Sequence, residues 1–151
     1  MAQKKAVFIP ADSNSLQEKF INYLMKAGKK NLARKILKDC FEVLKSKGEK
    51  KPVEVFEKAI AMVTPSIEVR PRRVGGAVYQ IPVEVKSHRQ KSLAIRWMIS
   101  AARARKGSPI SQRLAAEIID ATAETGEAFK KKENVHKMAK ANKAFAHLAR
   151  F

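Results

Sequence analysis

Three regularly spaced arginines give the first indication of what this chain binds. Arg89, Arg96 and Arg103 recur every seven residues, a spacing that brings side chains to one face of a helix. A guanidinium group carries a planar fork of N–H donors, and this fork fits a phosphate group through two hydrogen bonds. The spacing therefore predicts a helix face that binds phosphate groups.

The rest of the chain shares this positive bias. Its 151 residues hold 32 Lys and Arg against 14 Asp and Glu, which gives a formal net charge of +18. The excess is largest between residues 65 and 108, where the only acidic residues are Glu68 and Glu84. Such a balance favours a polyanionic partner, most often a nucleic acid and less often an anionic membrane surface.

Catalytic and metal-binding chemistry find little support in the sequence. No nucleophile, base and orienting group stand in a recognisable arrangement. One cysteine, Cys40, and three histidines, His88, His136 and His147, do not match the ligand spacing of a zinc site. We therefore expect no catalytic residue, no metal and no cofactor. Cys40 and Trp97 are predicted to lie in the core, because apolar residues flank both at helical spacing.

One stretch, residues 67–85, does not look helical and reads IEVRPRRVGGAVYQIPVEV. Two runs rich in Val, Ile and Tyr flank Gly75-Gly76, and paired glycines supply the positive φ of a two-residue hairpin turn. Such a turn places Arg72 opposite Tyr79. Neither face of the ribbon is cleanly apolar, so we expect a projecting basic arm rather than a ribbon that lies on a core. The ring of Tyr79 would stack either on a base or on the arginines of the arm.

Apolar residues at helical spacing predict six helices around this arm. The first helix is expected to begin near Ser13 or Ser15, and Ser15 has the spacing of a capping box. Ser108 precedes a proline and is expected to cap the fifth helix. The first and fifth helices are expected to be ended by Gly28 and Gly126. The sequence thus predicts a single, mainly α domain over residues 1–151. It is a six-helix, bundle-like domain with a protruding β-hairpin between the third and fourth helices. The predicted helices cover about 15–27, 30–46, 52–63, 87–105, 109–125 and 127 towards the end, after a basic N-terminal arm at 1–12.

The turn between the first two helices carries a second candidate for phosphate binding. Gly28, Lys29 and Lys30 stand at a helix start, where free backbone amides and the positive end of the helix dipole favour anions. The glycine spacing and the preceding strand of a nucleotide-binding P-loop are missing. A nucleic-acid phosphate contact is favoured, and a solvated basic turn is the alternative.

Four segments resemble the family of small-subunit ribosomal protein seven, in its bacterial or organellar form. Residues 72–85, RRVGGAVYQIPVEV, look like the signature hairpin of that family. Residues 20–40 are similar to its N-terminal motif, residues 94–103 to the helix after the arm, and residues 133–147 to its final helix. These segments span essentially the whole chain, in order and with compatible spacing.

The resemblance implies a structural, non-enzymatic protein of the small ribosomal subunit. Members of the family bind the 3′ major (head) domain of small-subunit ribosomal RNA, nucleate assembly of the head, and stand by the messenger exit channel and the exit-site tRNA. The implied partners are this ribosomal RNA, exit-site tRNA and mRNA, and neighbouring ribosomal proteins of the head and platform, with no membrane. The implied location is the ribosome of a bacterial cytoplasm, or of a plastid stroma or mitochondrial matrix if the chain is organelle-encoded.

Basic residues on these segments and on the helices near them are the candidate RNA contacts. A basic DNA-binding architectural protein and a small RNA-processing enzyme are the alternatives, although no recognition-helix pair and no acid–base pair stand out. The residues expected near tRNA and mRNA are Gly75, Gly76, Tyr79 and Gln80. The residues expected to bind ribosomal RNA are Lys4, Lys5, Lys29, Lys30, Arg34, Arg70, Arg72, Arg73, Arg89, Arg96, Arg103, Arg105, Arg113, Lys131, Lys137 and Lys143.

Overall fold

A computed structural model describes residues 8–149, and this part of the chain is mainly helical with one β-hairpin. The hairpin stands between the third and fourth α-helices, which confirms the predicted fold class. Lys4, Lys5 and most of the predicted N-terminal arm lie outside the described residues. The elements are α1 (Ser15–Leu24), α2 (Lys30–Ser46), α3 (Pro52–Val63), β1 (Ile67–Val74), β2 (Ala77–Glu84), α4 (Ser87–Ala104), α5 (Ile110–Thr122), α6 (Glu127–Ala141) and a C-terminal 3₁₀ helix (Lys143–Ala149).

Helix α5 forms the centre of the domain and contacts α2, α3, α4 and α6. Its residues Leu114 and Ile118 are fully buried. Beside them, the ring of Phe56 meets Phe20 and Phe41 edge-on, with centroid distances of 5.1 and 5.7 Å. Edge-to-face pairs of this kind add to the stabilisation that burial of the rings already gives. One continuous apolar core therefore holds α1 to α5 together.

Cys40 lies in this core, as predicted, and burial raises the pKa of its thiol to about 12. The thiol is therefore neutral at physiological pH. Trp97 was also predicted to be a core residue, but it is only partly buried and packs against the core from its edge. The helical spacing of Trp97 correctly placed it on the face of α4 that packs against the core. The spacing could not show that part of this side chain remains exposed to solvent.

Both predicted serine caps are wrong. Asn14 caps α1 instead of Ser15, because its side-chain oxygen accepts a hydrogen bond of 2.8 Å from the backbone N–H of Gln17. Pro109 rather than Ser108 holds the N-cap position of α5, and it makes no side-chain capping bond. Serine and asparagine are both good caps, so the sequence offered several candidates within a few residues of each other.

Two helices also end earlier than their glycines suggested. Helix α1 ends at Leu24 and α5 ends at Thr122. Ala27 and Glu124 then adopt positive φ values of 53° and 60°, which a right-handed helix does not allow. The chain has therefore left the helical conformation before it reaches either glycine.

The base of the hairpin lies on the domain, so the expectation that the ribbon does not lie on a core is wrong for this part. Ile81 is fully buried and Glu68 and Val85 are nearly so, where the strands contact α6 and the C-terminal 3₁₀ helix. The predicted register is confirmed, with Arg72 opposite Tyr79. The alternation of residues along the strands could not reveal this packing, because its partners come from the end of the chain.

A buried carboxylate joins the last two α-helices. Glu117 of α5 is fully buried, and its Oε1 accepts a hydrogen bond of 2.9 Å from the backbone N–H of Ala128. It thereby caps α6, whose N-cap residue Gly126 has no side chain to do so. A Cβ atom at Gly126 would lie 2.7 Å from this oxygen, so glycine is required for the close approach. The other oxygen of Glu117 accepts two hydrogen bonds, of 2.7 and 2.9 Å, from Arg105.

We expect Glu117→Ala to lower the free energy of unfolding by about 3 kcal/mol. The change leaves the guanidinium of Arg105 with one carboxylate fewer and removes the cap of α6. Urea denaturation followed by circular dichroism measures this loss. The matched control is Glu133→Ala at an exposed position of α6, which should stay within about 0.5 kcal/mol of the unchanged protein. Equal losses in the two variants would contradict the role assigned to Glu117.

Candidate nucleic-acid interface

The tip of the hairpin is a tight two-residue turn. Gly75 and Gly76 have φ values of 57° and 86°, and positive φ at both central residues is the requirement of a type I′ turn. Both glycines are exposed, and so are their apolar neighbours Val74 and Val78. The predicted turn is confirmed, and the tip presents backbone and small apolar side chains, with Arg73 exposed opposite Val78.

The base of the hairpin is tied to α4 through a shared carboxylate. Glu68 of β1 is almost fully buried and forms ion pairs with Arg70 at 2.6 Å and with Arg89 at 3.0 Å. Arg70 belongs to the same strand, whereas Arg89 belongs to the first turn of α4. The carboxylate therefore fixes the position of the hairpin relative to the helix with the regularly spaced arginines.

The C-terminal 3₁₀ helix also packs against the hairpin. The ring of Tyr79 lies 5.0 Å from the ring of Phe145, centroid to centroid. Arg72, on the opposite strand, donates a hydrogen bond to the backbone carbonyl of Leu148. Tyr79 therefore packs beside a ring that follows it by 66 residues, a contact that sequence analysis did not predict. Its stacking on a base or on the arginines of the arm stays a prediction. Gln80, the fourth residue expected near tRNA and mRNA, remains exposed.

The three arginines of α4 each contact a different partner inside the protein. Arg89 pairs with Glu68, as described above. Arg96 places its guanidinium carbon 5.2 Å from the centroid of the Tyr23 ring, a distance typical of a cation–π contact. Arg103 donates a hydrogen bond of 3.1 Å to the backbone carbonyl of Leu24 at the end of α1. Because Arg96 and Arg103 are also exposed, each holds α4 in place and still presents N–H donors to solvent.

A second buried carboxylate organises the start of α2. Glu18 of α1 is 2% exposed and accepts hydrogen bonds from Arg34 and from the hydroxyl of Ser13, with Lys30 at 3.6 Å. Burial opposes its ionisation, but the hydrogen bonds and the two positive charges outweigh burial and leave the pKa of Glu18 below its ordinary value. Lys29, at the N-cap of α2, is exposed and makes no capping bond. The predicted basic turn therefore contains one solvent-facing cation, Lys29, and one that Glu18 holds, Lys30.

Two further candidates, Arg105 and Arg113, make most of their contacts within the protein. Arg105 pairs with Glu117 and also with Asp120. Arg113 donates a hydrogen bond of 3.2 Å to the backbone carbonyl of Arg103 and another to that of Arg105. These contacts hold the end of α4 against α5.

The remaining candidates differ from these in having exposed side chains without an internal acceptor. Within residues 8–149, no hydrogen bond or ion pair engages them, and all five are exposed. The predicted RNA contacts therefore form two groups. The cations of one group are held by contacts within the protein, and those of the other are fully available to a ligand. The exposed set comprises Lys29, Arg73, Lys131, Lys137 and Lys143.

Sequence reasoning missed two contacts made by Lys132 of α6. Its ammonium group donates a hydrogen bond of 2.8 Å to the backbone carbonyl of Met62 and lies 5.5 Å from the centroid of the Phe129 ring. The spacing of three residues between Phe129 and Lys132 is a helical signal that could have suggested the ring contact. The hydrogen bond to Met62 joins residues that are 70 positions apart in the sequence, so no local pattern could have predicted it.

Neither a metal centre nor a membrane span is found in the part of the chain that the structure describes. No group of three or more His, Cys, Asp or Glu side chains between residues 8 and 149 is placed to hold a metal ion. Among the helices of the same residues, none has the length and apolar character needed to cross a bilayer.

A mainly helical domain that presents oriented arginines, exposed lysines and a basic hairpin has the features of a protein that binds a polyanion. The family model described as Ribosomal protein S7p/S5e matches residues 1–143. The chain therefore belongs to the family of ribosomal protein S7p/S5e, whose members are structural proteins and not enzymes.

Curated relatives agree with this assignment over nearly their whole length. The small ribosomal subunit protein uS7 of Pseudothermotoga lettingae is 56% identical over 139 residues, which are 92% of this chain and 90% of the relative. The protein of the same name from Chloroflexus aggregans is 54% identical, covering 94% of this chain and 92% of the relative. That of Helicobacter hepaticus is also 54% identical, with 91% and 89% covered.

His136 provides a pH-dependent contact near the base of the hairpin. Its Nε2 accepts a hydrogen bond of 3.2 Å from the backbone N–H of Ser66. Burial, and then the charge of Lys132, lower the pKa of His136 below its ordinary value. The ring is therefore neutral at physiological pH, as this hydrogen bond requires.

We expect this contact to be lost in acid. Below a pH of about 6.5 the unfolded chain binds a proton at His136 that the folded chain does not. The contribution of His136 to stability is therefore complete above that pH and declines as the pH falls towards its lowered folded-state pKa. Urea unfolding between pH 5 and 8 measures this when the free energy of His136→Gln is subtracted from that of the unchanged protein. A difference that stays constant over this range would contradict the assignment.

Proposed function

We propose that this chain is a structural component of the small ribosomal subunit that binds the 3′ major (head) domain of its ribosomal RNA directly. Binding nucleates assembly of the head, with neighbouring ribosomal proteins of the head and platform as further partners. The hairpin stands by the messenger exit channel and the exit-site tRNA. The site of action is the ribosome, in the cytoplasm for a bacterial source. Family membership supports the ribosomal part of this proposal.

The observation that carries the RNA-binding proposal is the fixed arrangement of exposed arginines on α4. Arg96 and Arg103 contact Tyr23 and the Leu24 carbonyl, and both remain exposed. A surface that holds its cations at fixed positions suits folded RNA, because RNA helices are recognised mainly through backbone shape and phosphates. Each phosphate that is neutralised releases counterions, and this release is the main source of affinity at low salt.

The shape of the hairpin supports a different role for its tip. Its strands have eight residues each and extend over roughly 26 Å. Ion pairs of Glu68 fix the base, and the contact between Tyr79 and Phe145 supports the strands nearer the turn. Gly75 and Gly76 at the tip are exposed, and so is Gln80 on β2. A type I′ glycine turn lets backbone atoms approach a ligand closely. We therefore assign ribosomal RNA binding mainly to the helical surface, and proximity to mRNA and tRNA to the tip.

We expect affinity for a transcript of the head domain to fall with salt by about 0.7–0.9 log units per log unit for each phosphate neutralised. The double variant Arg96→Glu/Arg103→Glu should abolish specific binding. The control Lys45→Glu/Lys58→Glu makes the same change in net charge at exposed positions of α2 and α3 and should bind nearly as well as the unchanged protein. Filter binding measures the affinities, and thermal unfolding checks that each variant is folded.

Two results would overturn this function. One is an affinity for the transcript that does not change with salt, and the other is an equal loss in the two double variants. Duplex DNA of equal length serves as competitor in a gel-shift experiment. Preference for the duplex over the transcript would favour the alternative of a basic DNA-binding architectural protein.

A further inference from the structure

An apolar groove with a cationic rim lies where the turn between α1 and α2 meets the corner between α4 and α5. It has a volume of about 360 Å³, near the lower end of the roughly 300–1,000 Å³ that small-molecule sites occupy. None of the side chains that line it is acidic. Leu32, Ile36 and Ile110 supply apolar surface, and Lys26, Lys29 and Arg103 supply charge.

Leu32 is the least expected residue of this groove. It lies in the first turn of α2 with 52% of its surface exposed, whereas its neighbour Ala33 is buried in the core. An exposed leucine is ordinary by itself. Here it stands beside the half-buried Ile36 and Ile110 and extends their apolar surface to the groove opening. The groove can therefore cover a flat apolar group from one side.

The charges around this surface select the kind of group that it takes. Lys26 and Lys29 are exposed, and Arg103 uses one N–H for the Leu24 carbonyl and keeps others available. The N-terminus of α2 has no side-chain cap and no acidic residue in its own first turn, so no side chain of that turn offsets its positive dipole end. An apolar floor with these cations around it complements a ligand that combines an aromatic ring with phosphates.

We propose that this groove binds one unstacked base of single-stranded or bulged RNA, with the phosphates on either side held by Lys26, Lys29 and Arg103. The proposal rests on the RNA-binding function above and adds a subsite to it. Bases that leave the helical stack are the parts of folded RNA that proteins cover with side chains. A duplex offers no such base, so the groove distinguishes a defined unpaired nucleotide from regular helix. A peptide occupant fits less well, because the cations would need several acidic side chains in one short segment.

The first test separates the apolar contact from the ionic ones. The variants Leu32→Asn and Lys29→Gln are compared with the unchanged protein for binding to the head-domain transcript at several salt concentrations. We expect Leu32→Asn to weaken binding about five- to tenfold without changing the salt dependence, which is the lower end of what stacking of a base on an aromatic side chain contributes. Lys29→Gln should weaken binding and also lower the salt slope by about 0.7–0.9.

Met138→Asn is the matched control, because Met138 is similarly exposed, at 48%, but lies on α6 away from the groove. It should bind within twofold of the unchanged protein. Equal losses for Leu32→Asn and Met138→Asn, or no loss for Leu32→Asn, would overturn the proposal and would show that the groove does not receive RNA. Binding by the unchanged protein in the same series reports on the proposed function separately.

The second test asks whether a base fills the groove. A photo-crosslinking residue at position 32 identifies the nearest nucleotide, and a transcript with an abasic site there is prepared. We expect the unchanged protein to bind the abasic transcript about five- to tenfold more weakly than the intact transcript. The variant Leu32→Asn should bind the abasic transcript no more weakly than the intact one. Additive losses in this double-mutant cycle would overturn the proposal.

Discussion

Three buried carboxylates hold several of the arginines and one lysine in place within the part of the chain that the structure describes. Glu18, Glu68 and Glu117 are 2%, 8% and 0% exposed, and each binds at least one cation. Each also joins two parts of the fold: α1 to α2, the hairpin to α4, and the end of α4 to α5. In a chain with a net charge of +18, the cations would otherwise repel one another at these junctions. The same contacts therefore stabilise the domain and fix its positive surface.

Fixing the cations in advance has a consequence for binding. A long, mobile side chain loses conformational entropy when a ligand immobilises it, and this loss weakens the complex. Arg89 already gives up that freedom when the protein folds, because Glu68 holds its guanidinium. Arg96 and Arg103 are held likewise, by an aromatic ring and a backbone carbonyl. Such a surface is rigid enough to match the shape of a folded RNA.

Local patterns in the sequence predicted the parts of this structure that depend on local physics. Gly75-Gly76 defined the turn and with it the register of every pair in the hairpin. Helical spacing located all six α-helices of the described residues, although two of them end before the glycine expected to end them. The sixth also ends early, at Ala141, and a 3₁₀ helix follows instead of the predicted continuation towards the end of the chain. The residue types also identified the positive surface. They did not show which of its cations are held by contacts within the protein. Arg103 meets the Leu24 carbonyl across 79 residues, and Tyr79 meets Phe145 across 66, so only the folded chain reveals these partners.

The variant Glu68→Gln tests most directly whether the fixed arrangement of the arginines matters for binding. It removes one negative charge, so the formal net charge rises from +18 to +19, and net charge alone would make RNA binding tighter. Glutamine, however, cannot hold Arg70 and Arg89 as the carboxylate does. The measurement is the dissociation constant for the head-domain transcript at fixed salt, with thermal unfolding as a check on folding. We predict weaker binding in spite of the added positive charge, and tighter or unchanged binding would contradict the account.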